Sequence, residues 1–159
     1  MFLKFQVRNV DENPLWILEE PEEVQRPPET FELNYLPAEV AADFKEALTC
    51  YSDICLNAFA AMCRRTVQSA CTALGSAGTS KVQNQLDELK EMDVVDEAVH
   101  DQLKQIILSG HDGAHPHLPT LDAKRAEILL ELMKDILYQL FVRQAKIKEA
   151  KDMRVKKQQ

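Results

Sequence analysis

From position 37 onward the apolar residues recur every three or four positions, the repeat of helices with one buried face. Pro37, whose ring suits a first helical turn, precedes Val40, Phe44 and Leu48 on one stripe and predicts a helix to about Tyr51. Ser52 and Asp53 are cap-type residues, after which Leu56, Phe59, Cys63, Val67, Ala70 and Leu74 keep helical spacing until Gly75 ends it. Ala58, Ala60, Ala61, Ala70 and Ala73 let a neighbour approach this second helix closely, so it is the expected centre of the domain. Ser80 and Gln83 stand in capping-box spacing before a short third helix on Val82, Leu86 and Leu89, ending near Met92. Asp93 then starts a fourth, with Val95, Val99, Leu103 and Ile106 on one face and Gly110 as its stop. Thr120 caps a long final helix that turns Ala126, Leu129, Met133, Ile136 and Leu140 inward and Glu131, Lys134 and Asp135 outward, to about Ala150 or beyond.

The first 36 residues follow another pattern. Leu3, Phe5 and Val7 alternate with polar residues, predicting a short strand or extended arm. Pro14, Pro21, Pro27, Pro28 and Pro37 then break any helix, while Trp16, Ile17, Leu18, Phe31 and Tyr35 offer anchors for a segment wrapped on the body. The expected organisation is an arm over 1–36, a helical bundle over 37–150 and a basic tail over 151–159.

At 159 residues there is room for one domain, and 4 glycines disfavour a many-turned β architecture; the fold class is all-α. No stretch approaches the ~20 apolar residues of a membrane span, and the first ten are too charged for a secretory signal, so a cytoplasmic protein is expected. The net charge of −7 argues against a general nucleic-acid coater. Its distribution is uneven, with 11 acids and 4 bases over 1–48 but 7 bases and 2 acids over 143–159. Arg143 and Lys146 begin that basic arm, which suits a phosphate backbone or an acidic partner, or is simply a solvated helix end.

Cys50, Cys55, Cys63 and Cys71 contain no C-x-x-C pair, so a structural zinc site is not expected. They read as small buried hydrophobes. His111, His115 and His117, with Asp112, cluster in the connection before the final helix. Such a cluster invites three explanations: metal ligation by the H-x-x-x-H-x-H run, acid/base chemistry on a phosphodiester, or structural hydrogen bonds. Gly113 and Pro116 argue against helical i, i+4 alignment of His111 with His115, and hence against ligands converging on a metal.

The run AFAAMCRRTVQSACTALG, the short QLDELKEM helix, ILSGHDGAHP with its G-x-x-x-A-H core, and the closing LYQLFVRQ, taken in that order, resemble a helical family known as domain of unknown function 4145. The resemblance covers roughly residues 35 to 145. It implies a bundle of four or five helices, grouped with the commonly dimeric HEPN superfamily, whose members accompany defence systems and include metal-independent ribonucleases. In such relatives an Arg precedes a His with four to six residues between them. The His corresponds to His115, whereas the Arg positions hold Leu108, Ser109 and Gly110. Where nearer relatives carry a G-N pair with an Arg just upstream, this chain has Gly110, His111 and Ile107. Losing that cation removes about 3 kcal/mol of transition-state stabilisation. Arg64 or Arg65 is a candidate replacement, but side chains at adjacent helical positions diverge by about 100°, so at most one reaches the histidines.

The function this resemblance implies first is a non-catalytic, dimeric interaction or regulatory module of a prokaryotic or phage defence-type system, with RNA or another defence protein as partner and no cofactor. The second reading is a ribonuclease using His115, with His111, as acid/base and Arg64 or Arg65 as the electrostatic element. Asp112, His117, Arg143 and Lys146 are the expected binding residues, and on the first reading the histidine loop lies at a dimer interface while the basic arm binds a partner or nucleic acid. The third is metal-dependent activity at the histidine loop.

Overall fold

The computed structural model describes residues 2–4, 22–24, 28–78, 81–115, 117 and 120–156. Strands β1 (Phe2–Lys4) and β2 (Glu22–Val24) pair antiparallel, with Leu3 opposite Glu23. The other elements among the described residues are helical: a 3-10 turn at Leu33–Tyr35, then α1 (Ala38–Ser52), α2 (Leu56–Ala73), α3 (Val82–Glu91), α4 (Glu97–Ala114), α5 (Ala123–Leu137) and α6 (Arg143–Lys156). A π turn, Tyr138–Val142, joins the last two. The fold is an all-α bundle. Of the N-terminal expectations, the strand is present at 2–4, while Phe5, Val7, Trp16, Ile17 and Leu18 lie outside the described residues.

α2 is the central helix. Its Ala60, Phe59, Cys63, Val67 and Ala70 are buried, and it packs on α1, α3, α4 and α5. Small side chains permit this, because each alanine removes the bulk that holds helix axes apart. α1 contributes Val40, Phe44, Ala47 and Leu48; α4 contributes Leu103, Ile106 and Ile107; and α5 contributes Ala126, Leu129, Met133 and Ile136. The aromatic seams are edge-on: Tyr51 meets Phe59 with ring centroids 5.1 Å apart, and Phe31 of the N-terminal segment meets Phe44 at 5.3 Å.

Several helix ends differ from expectation, each for a local reason. α1 closes with Ile54 in the left-handed region at φ 60°, where the Cys55 N–H reaches the Cys50 carbonyl and the Ile54 N–H reaches that of Tyr51. That pair of bonds satisfies the end that Ser52 and Asp53 were expected to organise as caps of α2. Ser52 Oγ instead donates to the Leu48 carbonyl and accepts from the Glu29 N–H. Gly75, at φ 109°, does end α2 in the same two-bond manner. Asp93 ends α3 this way too, so it does not start α4; Asp96 does, its carboxylate accepting from the Val99 N–H. Ser80 lies outside the described residues, and the residue preceding α3 is Lys81, which makes no side-chain cap. Asp122, not Thr120, caps α5 by accepting from the Arg125 N–H at 2.8 Å.

The π turn inserts an extra residue and rotates the inward stripe. Val142 is therefore fully buried, whereas Leu140, expected in the core, is only partly covered. Beyond it α6 runs past position 150 to Lys156 as one helix.

Candidate functional site

Gly110 does not stop α4. It lies in the helix interior because no larger residue fits against α2: a Cβ there would collide with Arg64 Cβ and sit 2.7 Å from the Ala60 carbonyl oxygen. A Cβ on Gly113 would come within 3.0 Å of the Ala60 Cβ and of the Asn57 carbonyl oxygen. The two glycines seat the end of α4 on the first half of α2. That seating keeps four residues of the expected loop, His111 to Ala114, in the helix.

His111 and His115 are consequently one helical turn apart on one face, with ring centroids 4.2 Å apart and planes tilted by 51°. The expectation that glycine would prevent this alignment is overturned, because packing against α2 outweighs the weak helix propensity of glycine. Both rings are exposed, and the His115 N–H reaches the Asp112 carbonyl at 3.3 Å. His117, beyond the helix, is also exposed. Among the described residues these histidines do not assemble three close metal donors.

The surrounding charges come from three helices. Asp112 Oδ2 accepts from Arg125 Nη2 of α5 at 3.4 Å, both side chains being partly exposed. Asn57 Oδ1, in the first turn of α2, accepts from the Leu121 N–H at 3.1 Å and ties down the connection into α5. The adjacent arginines go to different neighbours, as their divergence requires. Arg65 Nε lies 2.9 Å from Asp43 Oδ1 on α1, and Asp43 Oδ2 also accepts from Ser69 Oγ at 2.6 Å. Arg64 lays its aliphatic stem over Gly110, and among the described residues its guanidinium has no acidic partner.

Arg125 and Asn57 were not among the expected site residues. Nothing local singles them out, since each reaches the site only through a helix pairing distant in sequence.

Arg143 and Lys146 lie at the far end of the molecule. Arg143 stands over the Tyr138 ring at 5.7 Å. Lys146 lies 5.7 Å from both the Tyr35 and Tyr138 rings and pairs with Glu32 at 2.7 Å. With Lys134 and Glu29, also 2.7 Å apart, these contacts fasten the N-terminal segment to α5 and α6. Two cavities flank that segment: one of about 430 Å³ lined by Glu29, Phe31, Lys45 and Asp53, another of about 450 Å³ lined by Phe31, Glu32 and Tyr138. Neither borders a histidine.

The cysteines divide. Cys63 and Cys71 are buried, as expected, and burial pushes both thiols up, Cys71 to about 12. Neither supplies a thiolate near neutral pH. Cys55 is exposed and Cys50 half-buried, against expectation, because Cys55 stands in the α1–α2 turn and Cys50 at the edge of the buried face in the last turn of α1.

The sequence of this chain matches the model of the family described as Domain of unknown function (DUF4145) over residues 45–156, well over half its length. The chain belongs to that family. No curated protein and no solved structure matches it. The range shared with the DUF4145 family runs from the middle of α1 through α6, so every helix that positions the histidines falls inside it. No helix of the described residues is long and apolar enough to cross a membrane.

Proposed function

We propose that this member of the DUF4145 family is a non-catalytic interaction module, HEPN-like in its bundle, that works as a homodimer in a prokaryotic or phage defence-type system. The observation that carries this reading is the surface around the histidine pair. Leu108, His111 and His115 recur at i, i+3 and i+7 on the outward side of α4, and Leu108 is 39% exposed. On α5, one turn beyond Arg125, Ile128 is 50% exposed. Exposed apolar side chains on the two helices that the Asp112–Arg125 ion pair joins, together with two exposed imidazole rings, offer a mixed surface of the kind that two copies bury against each other about a two-fold axis.

Light scattering on the eluting native chain tests it. The expected result is a dimer, converted to monomer by Leu108→Lys with Ile128→Lys while the helical circular dichroism is kept. A wild-type chain that stays monomeric at micromolar concentration overturns the dimer.

One observation favours a second reading, a metal-independent ribonuclease. Arg64 lays its aliphatic stem over Gly110, the residue before His111, and among the described residues its guanidinium has no acidic partner, which leaves that cation available as the electrostatic element of this reading. Against it, Arg125 is engaged by Asp112 and Arg65 by Asp43. Cleavage of mixed RNA in the presence of chelator, abolished by His115→Ala, would replace the first reading with the second.

A further inference from the structure

The first turn of α4 holds a second group of chemistry-bearing side chains, remote from the histidine pair. Glu97, His100 and Asp101 stand at i, i+3 and i+4 on one face, and one donor atom from each lies within 4.8 Å of the others. The His100 side chain is only 9% exposed, and its Nε2 lies 2.9 Å from Asp87 Oδ1 on α3. A carboxylate can only accept, so Nε2 carries the hydrogen and Nδ1 of the neutral ring is a bare lone pair. That Nδ1 is buried without a hydrogen-bond partner among the described residues, and 3.7 Å from it lies Asp101 Oδ1, another acceptor. Buried polar atoms are rarely left in this state, and what fits between a lone pair and carboxylates is a cation.

We propose that this cluster is a binding site for a divalent transition-metal cation, with zinc the best match, held by His100 Nδ1, Glu97 and Asp101. Asp87 orients the ring from behind, the arrangement in which a ligating imidazole gives its other N–H to a carboxylate. One nitrogen and two carboxylate oxygens suit zinc rather than magnesium or calcium, which favour oxygen alone. Ligands at about 2.0–2.2 Å in a tetrahedral zinc site lie roughly 3.3–3.6 Å apart. Drawing in the present 4.8 Å spread therefore takes a closure of about 1.2–1.5 Å, shared between Glu97 and Asp101, whose side chains are both more than two-thirds exposed. Two features oppose binding. Lys90 Nζ, 2.6 Å from Glu97 Oε2, must release that carboxylate, and the N-terminus of a helix disfavours a cation. Asp87, Asp96, Glu97 and Asp101 together outweigh the one ammonium.

The test is a titration of the chelator-treated full chain with zinc by calorimetry, and with cobalt by its visible d–d bands. One equivalent is expected to bind. Asp101→Asn, at an exposed position that should not disturb folding, should weaken binding tenfold or more, and His100→Gln should abolish it. Binding should be unchanged in the double variant His111→Gln, His115→Gln and in Cys55→Ser. Absence of saturable one-equivalent binding overturns the proposal, as do insensitivity to Asp101→Asn, loss of binding in the His111, His115 double variant, or thiolate charge-transfer bands in the cobalt spectrum. None of these outcomes depends on whether the chain dimerises or cleaves RNA.

Discussion

At its N-terminal end α4 holds one histidine, His100, enclosed between α3 and its own first turn and fixed by Asp87. At its C-terminal end it holds two, His111 and His115, whose rings lean on each other in solvent. The first is a residue whose surroundings dictate its tautomer and leave one nitrogen without a partner. The second pair is constrained by the helix underneath rather than by partners, so what it binds depends on what comes to it. The same side chain on the same helix is thus tuned by burial at one end and only positioned at the other.

The sharpest way to break the contrast is at the seat of the exposed end. Gly110→Ala adds a methyl where Arg64 Cβ and the Ala60 carbonyl already stand, and the overpacking exceeds the roughly 1 kcal/mol of helix propensity gained. A net loss of about 2 kcal/mol is expected in denaturant unfolding; an unchanged midpoint would mean that the helices do not touch there. At the enclosed end His100→Ala removes the bond to Asp87 and a buried ring, costing about 1.5 kcal/mol, with Asp87 free to return to water. The ion pair between Asp112 and Arg125 is long and partly exposed, so Arg125→Ala should cost less than about 1 kcal/mol, a value a double-mutant cycle with Asp112→Ala can measure. The double change of His111 and His115 to alanine should leave stability within about 0.5 kcal/mol. A larger loss there would show that the rings are structural and would erase the difference between the two ends.

The helical stripes were legible because burial follows the 3.6-residue period: Val40, Phe44 and Leu48, or Ala126, Leu129, Met133 and Ile136, are buried as their spacing predicts. Helix ends were less so. Gly75 ends α2 as a left-handed residue should, yet Ile54 and Asp93 adopt the same conformation where neither residue type announces it. Leu140 lost its place in the core to a π turn that no spacing revealed. His100 drew no attention because a lone histidine among acids on a helix is ordinary until α3 closes over it.

The chain's own order of residues determined the all-α class, the central place of the alanine-rich helix and the family to which it belongs, since these depend on periodicity and local composition. Only the tertiary structure decided whether Gly110 ends a helix or lets two helices touch, because glycine serves either purpose and the neighbour makes the choice. It likewise decided which arginine lays its stem over Gly110 and which is held by Asp43, for a side chain's partner across a helix pair is fixed by packing between segments that the sequence keeps apart.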